Sequence, residues 1–201
     1  MYADTMASFL VVYGTGEGQT AKVADRIADV LSRRDHEPST IDVTEIGPDL
    51  DLDAFDAVLV GASIHAGHHQ KTVREFARAH REVLVTKPTG FFQVSGSSGE
   101  GTEEGDAEAV GYLDAFLEAP NWRPDRIGLF GGAFRFSEYG FLMRALVKWM
   151  ARRKDPDLDT SQDVEFTDWD EVEAFAADFA AFVEDRLGID SPDAADGSGR
   201  A

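Results

Sequence analysis

Cysteine is absent from the 201 residues. That removes a disulfide framework, a thiolate nucleophile and a cysteine metal site together. Long apolar runs are also missing, and none approaches the roughly 20 residues of a membrane span. Met1 to Ala7 carries no lysine or arginine, so it does not read as a signal peptide. These absences predict a soluble, cytoplasmic protein whose length suffices for one domain with a full core.

Positive charge is scarce as well. There are 38 acidic residues against 19 basic ones, for a net charge of −19, and lysine is rarer than arginine. Such a surface repels nucleic acid and anionic lipid in general. Nucleic acid is therefore not expected as a partner. The composition also resembles that of salt-loving organisms' proteins, whose acidic surfaces stay solvated at high salt.

What is present centres on Phe9 to Thr20. An apolar run from Phe9 to Tyr13 stops at a loop of Gly, Thr and Gln. A helical pattern follows from Ala21, with Val23, Ile27, Val30 and Leu31 on one face. Strand, loop and helix in that order put free backbone N–H groups and a positive dipole end at the loop, which suits a phosphate. The hydroxyls of Thr15 and Thr20 add donors. A Walker loop would need Lys where Gln19 stands. A dinucleotide fingerprint would need a third glycine, and Gln19 again takes its place. No Lys or Arg lies between Tyr13 and Ala21. A neutral, hydroxyl-rich loop of this kind resembles the FMN phosphate loop of flavodoxins.

Along the chain, strands are expected at Ser8–Gly14, Glu37–Ile46, Ala57–Ser63, Thr89–Ser95 and Arg126–Ala133. Helices are expected at Ala21–Arg34, Gln70 to about Glu82, about Asp106 to Leu117, Tyr139–Arg153 and from near Asp168 to Leu187. Gly47 to Asp56 reads as a linker with one short helix. Either Asp168, with Glu171 at the capping-box spacing, or Thr167 suits the start of the last helix. Alternating strands and helices predict an α/β doubly wound parallel sheet. In the order 2-1-3-4-5 it is flavodoxin-like, and its ligand sits beyond the carboxyl ends of the strands. The reading is one domain over 1–187, an insertion at 135–167 and a disordered polar tail at 188–201.

Four segments make the resemblance specific. They are Thr15-Gly16-Glu17-Gly18-Gln19-Thr20; Gly61-Ala62-Ser63-Ile64-His65-Ala66-Gly67-His68; Gly132-Ala133-Phe134-Arg135-Phe136; and Asp159-Thr160-Ser161 with Phe166-Thr167-Asp168-Trp169. Together they resemble the menaquinone-dependent protoporphyrinogen dehydrogenase family, a flavodoxin-like group, from about Ser8 to about Ala180. The resemblance implies FMN as cofactor, a quinone as acceptor and protoporphyrinogen as donor. It also implies a cofactor site made of Thr15, Gly16, Glu17, Gly18, Gln19 and Thr20 at the phosphate. Ser63, Ile64, His65, Ala66 and Gly67, with Ser95, Gly96 and Ser97, would flank the ring. The third loop, Gly96 to Gly105, departs from the family by being Gly-rich and acidic, which bears on the substrate more than on the cofactor.

In such a site the redox chemistry belongs to the cofactor. His65 and His68 are the nearby side chains that titrate near neutral pH, and are the candidates to steer a substrate or hydrogen-bond a ring edge. The spacing of His65, His68 and His69 is not a helical metal pair, so no metal is expected. Ser63 lacks the Gly-x-Ser-x-Gly setting of a hydrolase nucleophile. The alternatives are a flavodoxin-type electron carrier without its own substrate, or an NAD(P)H:quinone reductase. The extra residues between the fifth strand and the last helix favour an enzyme. Phe134 to Lys154 holds Arg135, Arg144, Lys148, Arg152, Arg153 and Lys154 against Glu138, with several aromatics. That composition suits peripheral contact with an anionic membrane surface.

Overall fold

Phe9, Leu10, Val11 and Val12 are all essentially buried, although neighbours in a strand point to opposite faces. Both faces of the strand must therefore be covered, as in a parallel sheet between helical layers. The computed structural model, which describes residues 6–65, 67–96, 98, 103–118, 120–134 and 164–189, has that arrangement. Strand β1 (Ser8–Gly14) leads to α1 (Gln19–Arg33) and β2 (Glu37–Asp42). A 3₁₀ turn at Leu52–Ala54 precedes β3 (Ala57–His65), a two-residue strand β4 (His68–His69), α2 (Lys71–Ala79) and α3 (Arg81–Leu84). Then come β5 (Thr89–Ser95), α4 (Glu103–Glu118), β6 (Arg126–Gly131), β7 (Ala133–Phe134), β8 (Val164–Glu165) and α5 (Trp169–Leu187).

The main sheet runs β2-β1-β3-β5-β6, with every neighbouring pair parallel. With the hairpin strand β4 set aside, this is the expected order. One face packs Phe9, Val11, Leu59 and Phe92 against Val23, Ile27 and Leu31 of α1 and Val172, Phe179 and Val183 of α5. The other packs Leu10, Val12, Val58, Val60 and Phe91 against Val73 and Phe76 of α2 and Leu113 and Phe116 of α4.

Element boundaries differ from expectation for local reasons. Strand β2 stops at Asp42, whose carboxylate accepts hydrogen bonds from the Thr44 N–H at 2.8 Å and its hydroxyl at 2.6 Å. This side-chain turn ends the strand before Ile46. The helix expected over Gln70–Glu82 breaks at His80 into α2 and α3. Helix α5 is capped by Asp168, which accepts from the N–H groups of Asp170 at 2.9 Å and Glu171 at 3.3 Å. Gly188 closes it in the left-handed conformation, with the Ile189 N–H bonded to the Glu184 carbonyl. The first two residues expected in a disordered tail therefore belong to the helix cap. The expected helix at Tyr139–Arg153 and the rest of the tail lie outside the described residues.

The amino edge of the sheet is dense in satisfied polar groups. The Ala7 N–H donates to His36 Nδ1 at 3.3 Å, so Nε2 carries the ring proton and donates to Glu184 at 3.0 Å. Arg34 holds the same buried carboxylate through Nε at 3.1 Å and Nη2 at 3.0 Å. Asp56 accepts from the Ser8 N–H and hydroxyl, both at 2.8 Å. Asp125 accepts the Thr89 N–H at 2.8 Å, and the Trp122 indole donates to the Thr89 hydroxyl at 3.1 Å.

Candidate functional site

The loop between β1 and α1 is shaped by its own backbone. Gly18 stands at the helix N-cap with φ of 83°, a left-handed conformation that a side chain would strain. Its N–H donates to the Thr15 hydroxyl oxygen at 2.9 Å, closing the loop. No side chain caps α1, and no acid lies in its first turn. The helix thus begins with its positive dipole end unneutralised, the arrangement that attracts an anion. Gly14 must stay small, because a Cβ there would lie 2.6 Å from Gln70 Oε1.

Among the described residues, the buried side-chain polar atoms without a hydrogen-bond partner are Gln19 Oε1, Thr20 Oγ1, Ser63 Oγ and Gln70 Oε1. Gln19 and Thr20 open α1, Ser63 lies near the end of β3, and Gln70 precedes α2. All four sit at the carboxyl edge of the sheet. Leaving such a group unpaired costs about 1–3 kcal/mol. A polar ligand in this cleft would supply the missing partners. The Thr20 and Ser63 hydroxyls can donate to a flavin phosphate or its polar chain, and the Gln19 and Gln70 amide oxygens can accept from that chain's hydroxyls, so the residues present fit the group.

The second loop is a hairpin. His65 pairs across it with His68, and Gly67 makes the turn with φ of 80°. Both histidines are exposed at the hairpin's tip, so the structure brings these two predicted residues together. Ile64 pairs with His69 and is half-buried. Ala66 lies outside the described residues. In the third loop Ser95 is turned onto its own backbone. Its hydroxyl lies 2.8 Å from that of Ser98 and accepts the Ser98 N–H at 3.2 Å. Gly96 is half-buried beside it, and Ser97 lies outside the described residues.

Two participants escaped the sequence reading. His69 is 6 % exposed and packs beside the stacked rings of Phe91 and Phe116. Its Nε2 is 2.9 Å from Gln93 Oε1, while the Gln93 amide donates to the Ala109 carbonyl at 3.0 Å. Nε2 therefore carries the proton. Burial pushes the His69 pKa down to about 4, against the opposing pull of the Gln93 hydrogen bond and with help from Arg74 and His68. His69 thus anchors the hairpin to β5 and α4 as a neutral ring. The sequence carried no signal for it, since a two-residue strand is too short to show alternation. The second is Thr167, read as a possible cap and as part of a family segment but not as a site residue. It accepts from the Gln19 side-chain amide at 2.8 Å and donates to the Gly131 carbonyl at 2.7 Å. Gln19 therefore offers the loop its backbone, while its amide group is turned to Thr167.

Among the described residues, no helix is long and apolar enough to cross a membrane.

A family model described as a flavodoxin domain matches residues 10–161. The protoporphyrinogen IX dehydrogenase [quinone] of Leishmania major is 31% identical over 174 residues, covering 86% of this chain and 74% of that protein. The protein of the same name from Escherichia coli K12 is 29% identical over 175 residues, covering 87% and 96%. Among solved structures, oxidised flavodoxin 1 from Bacillus cereus shares the fold at 17% identity and a TM-score of 0.52, covering 87% of this chain and 98% of its own. Sheet order, an anion-ready loop at its switch point and similarity along most of the length agree: the chain belongs to the flavodoxin-domain family and is a flavoprotein oxidoreductase.

Proposed function

We propose that this chain is an FMN-dependent dehydrogenase that oxidises a porphyrinogen-type donor and delivers the electrons to a quinone. The observation that carries the reading is the set of four unpartnered buried polar atoms around an uncapped helix start with no acid in its first turn. FMN, when bound, supplies the capacity to accept two electrons from an organic donor and pass them on.

The chain's own residues do the rest. The backbone of Gly16 to Thr20 and the hydroxyls of Thr15 and Thr20 hold the phosphate. Thr15 already accepts from Gly18, which leaves its hydroxyl hydrogen free to donate outward. Ser63 to Gly67 on one side and Ser95 to Ser97 on the other flank the ring. His65 and His68, on the exposed hairpin, meet the substrate and steer its carboxylates. His69 holds that hairpin in place without titrating near neutral pH.

A carrier without a substrate of its own would not need residues 135–167, and the basic, aromatic stretch from Phe134 to Lys154 suits a substrate or membrane platform. The peripheral membrane contact and the quinone belong together in this reading, since quinones reside in lipid. The test is anaerobic mixing of the FMN-loaded protein with protoporphyrinogen, then with a menaquinone analogue, while the flavin spectrum is followed. Bleaching by the first and recovery with the second is expected. Bleaching by a nicotinamide instead would favour the reductase, and no response to either donor would leave the carrier.

A further inference from the structure

The segment that enters α5 is fastened to the phosphate loop's helix more heavily than a connection requires. Gln19, Lys22 and Arg26 lie at i, i+3 and i+7 on α1 and so share one stripe of its surface. Each engages this segment. The Gln19 amide donates to Thr167 at 2.8 Å, Lys22 pairs with Glu165 at 3.1 Å, and Arg26 lies over the Trp169 ring at 5.1 Å. Trp169 in turn donates its indole N–H to Glu165 at 3.0 Å. The same segment is tied to the end of the sheet. Thr167 donates to the Gly131 carbonyl, and the Phe166 N–H donates to the Gly132 carbonyl at 2.9 Å.

A loop that holds a dianion without any cation depends on the aim of its N–H groups and helix dipole. Hydrogen bonds weaken steeply once the angle falls toward about 120°. A cationic loop tolerates a tilt of its helix, because a point charge attracts in every direction; this loop has no such reserve.

From this geometry we infer that Thr167, bridging Gln19 to the end of β6, is a positioning residue that sets the aim of the phosphate loop without touching the ligand. The inference rests on the FMN reading above and deepens it. It requires that Thr167 matter for the phosphate rather than for the flavin ring. It also makes the segment that enters α5 and the grip on phosphate parts of one clamp.

The experiment compares FMN with riboflavin, which lacks the phosphate, by fluorescence titration of wild type, Thr167→Val and Thr167→Ser. Losing one such hydrogen bond weakens FMN by about tenfold in Thr167→Val, while riboflavin stays within about twofold. Thr167→Ser, which keeps the hydroxyl, restores FMN binding, and the ³¹P resonance of bound FMN returns to its wild-type position. A proportional loss of both ligands would make Thr167 merely structural and overturn the inference, as would undiminished FMN binding. Should Thr167→Val not fold, Glu165→Gln loosens the same clamp from an exposed site. It should weaken FMN alone, by two- to threefold on the scale of a surface ion pair, and an FMN affinity equal to wild type would overturn the inference. Wild type that binds FMN no better than riboflavin would remove the phosphate reading itself, a result separable from the variants' behaviour.

Discussion

At the amino edge of the sheet His36, Glu184 and Arg34 are held in one hydrogen-bonded group, with the Ala7 N–H on His36; at the carboxyl edge Gln19, Thr20, Ser63 and Gln70 each keep a buried oxygen without a partner. The same strands supply both edges, so the contrast is not one of fold or composition. A buried polar group is tolerated when something completes it. On the amino edge the chain does so itself, and the result is stability. On the carboxyl edge completion is left to a ligand, and the result is a site.

The largest effect tests the satisfied edge. Glu184→Ala strands a buried histidine and an arginine, and removing one partner of a buried pair costs about 3–5 kcal/mol. Urea unfolding should show that loss, while the folded protein keeps its FMN affinity. An unmoved unfolding midpoint would mean that the amino edge does not carry stability as argued.

Next comes His69, a satisfied group within reach of the site. Its pKa is lowered from 6.5 to about 4 in the folded protein. The unfolded chain therefore takes up this proton first as pH falls. The stabilising contribution is fully present above about pH 6.5, is lost progressively down to about pH 4, and does not change further below that. Over that window the loss is about 3 kcal/mol, at 1.36 kcal/mol per unit. His69→Gln should flatten this part of the stability profile relative to wild type. Parallel profiles would place the ring in water.

Thr20→Val probes the unsatisfied edge with little change of shape. Hydrogen bonds to a charged group are worth about 1.5–3 kcal/mol, so FMN should bind at least tenfold more weakly. The same change removes an orphaned hydroxyl, and the FMN-free protein should become more stable by about 1 kcal/mol. Opposite signs in calorimetry with and without FMN are the signature. A loss of stability without ligand would show that Thr20 already has its partner.

The smallest effect separates the loop from the surface around it. The net charge of −19 repels the FMN phosphate at long range, and the loop has no cation for salt to screen. Raising ionic strength from about 0.01 to 0.15 M shortens the Debye length from about 30 to 8 Å. FMN affinity should then rise by a few fold. A steep fall with salt would reveal a cation at the phosphate and end the contrast between a neutral site and an acidic surface.

The parallel sheet was legible because Phe9–Tyr13 and Ala57–Ser63 are apolar without alternation, as two-sided burial requires, and its order came with the flavodoxin resemblance. The phosphate loop was legible because Gly18 and the threonines are local requirements of a strand–turn–helix. The hairpin at His65–His68 was not, since two-residue strands leave no periodicity to read. The split of one expected helix at His80 was equally silent.

The sequence by itself determined the fold class, the edge of the sheet where a ligand sits and the neutrality of its loop. Each of these follows from residues near one another in the chain, whose pattern and spacing act directly on backbone geometry. Only the tertiary structure decided which polar atoms are satisfied. The Gln19 amide meets Thr167 across 148 positions, and Glu184 meets His36 across the same distance. It also decided that His69, not His68, is the buried ring. Partners that far apart are chosen by how helices pack on a sheet, and no local pattern encodes that choice.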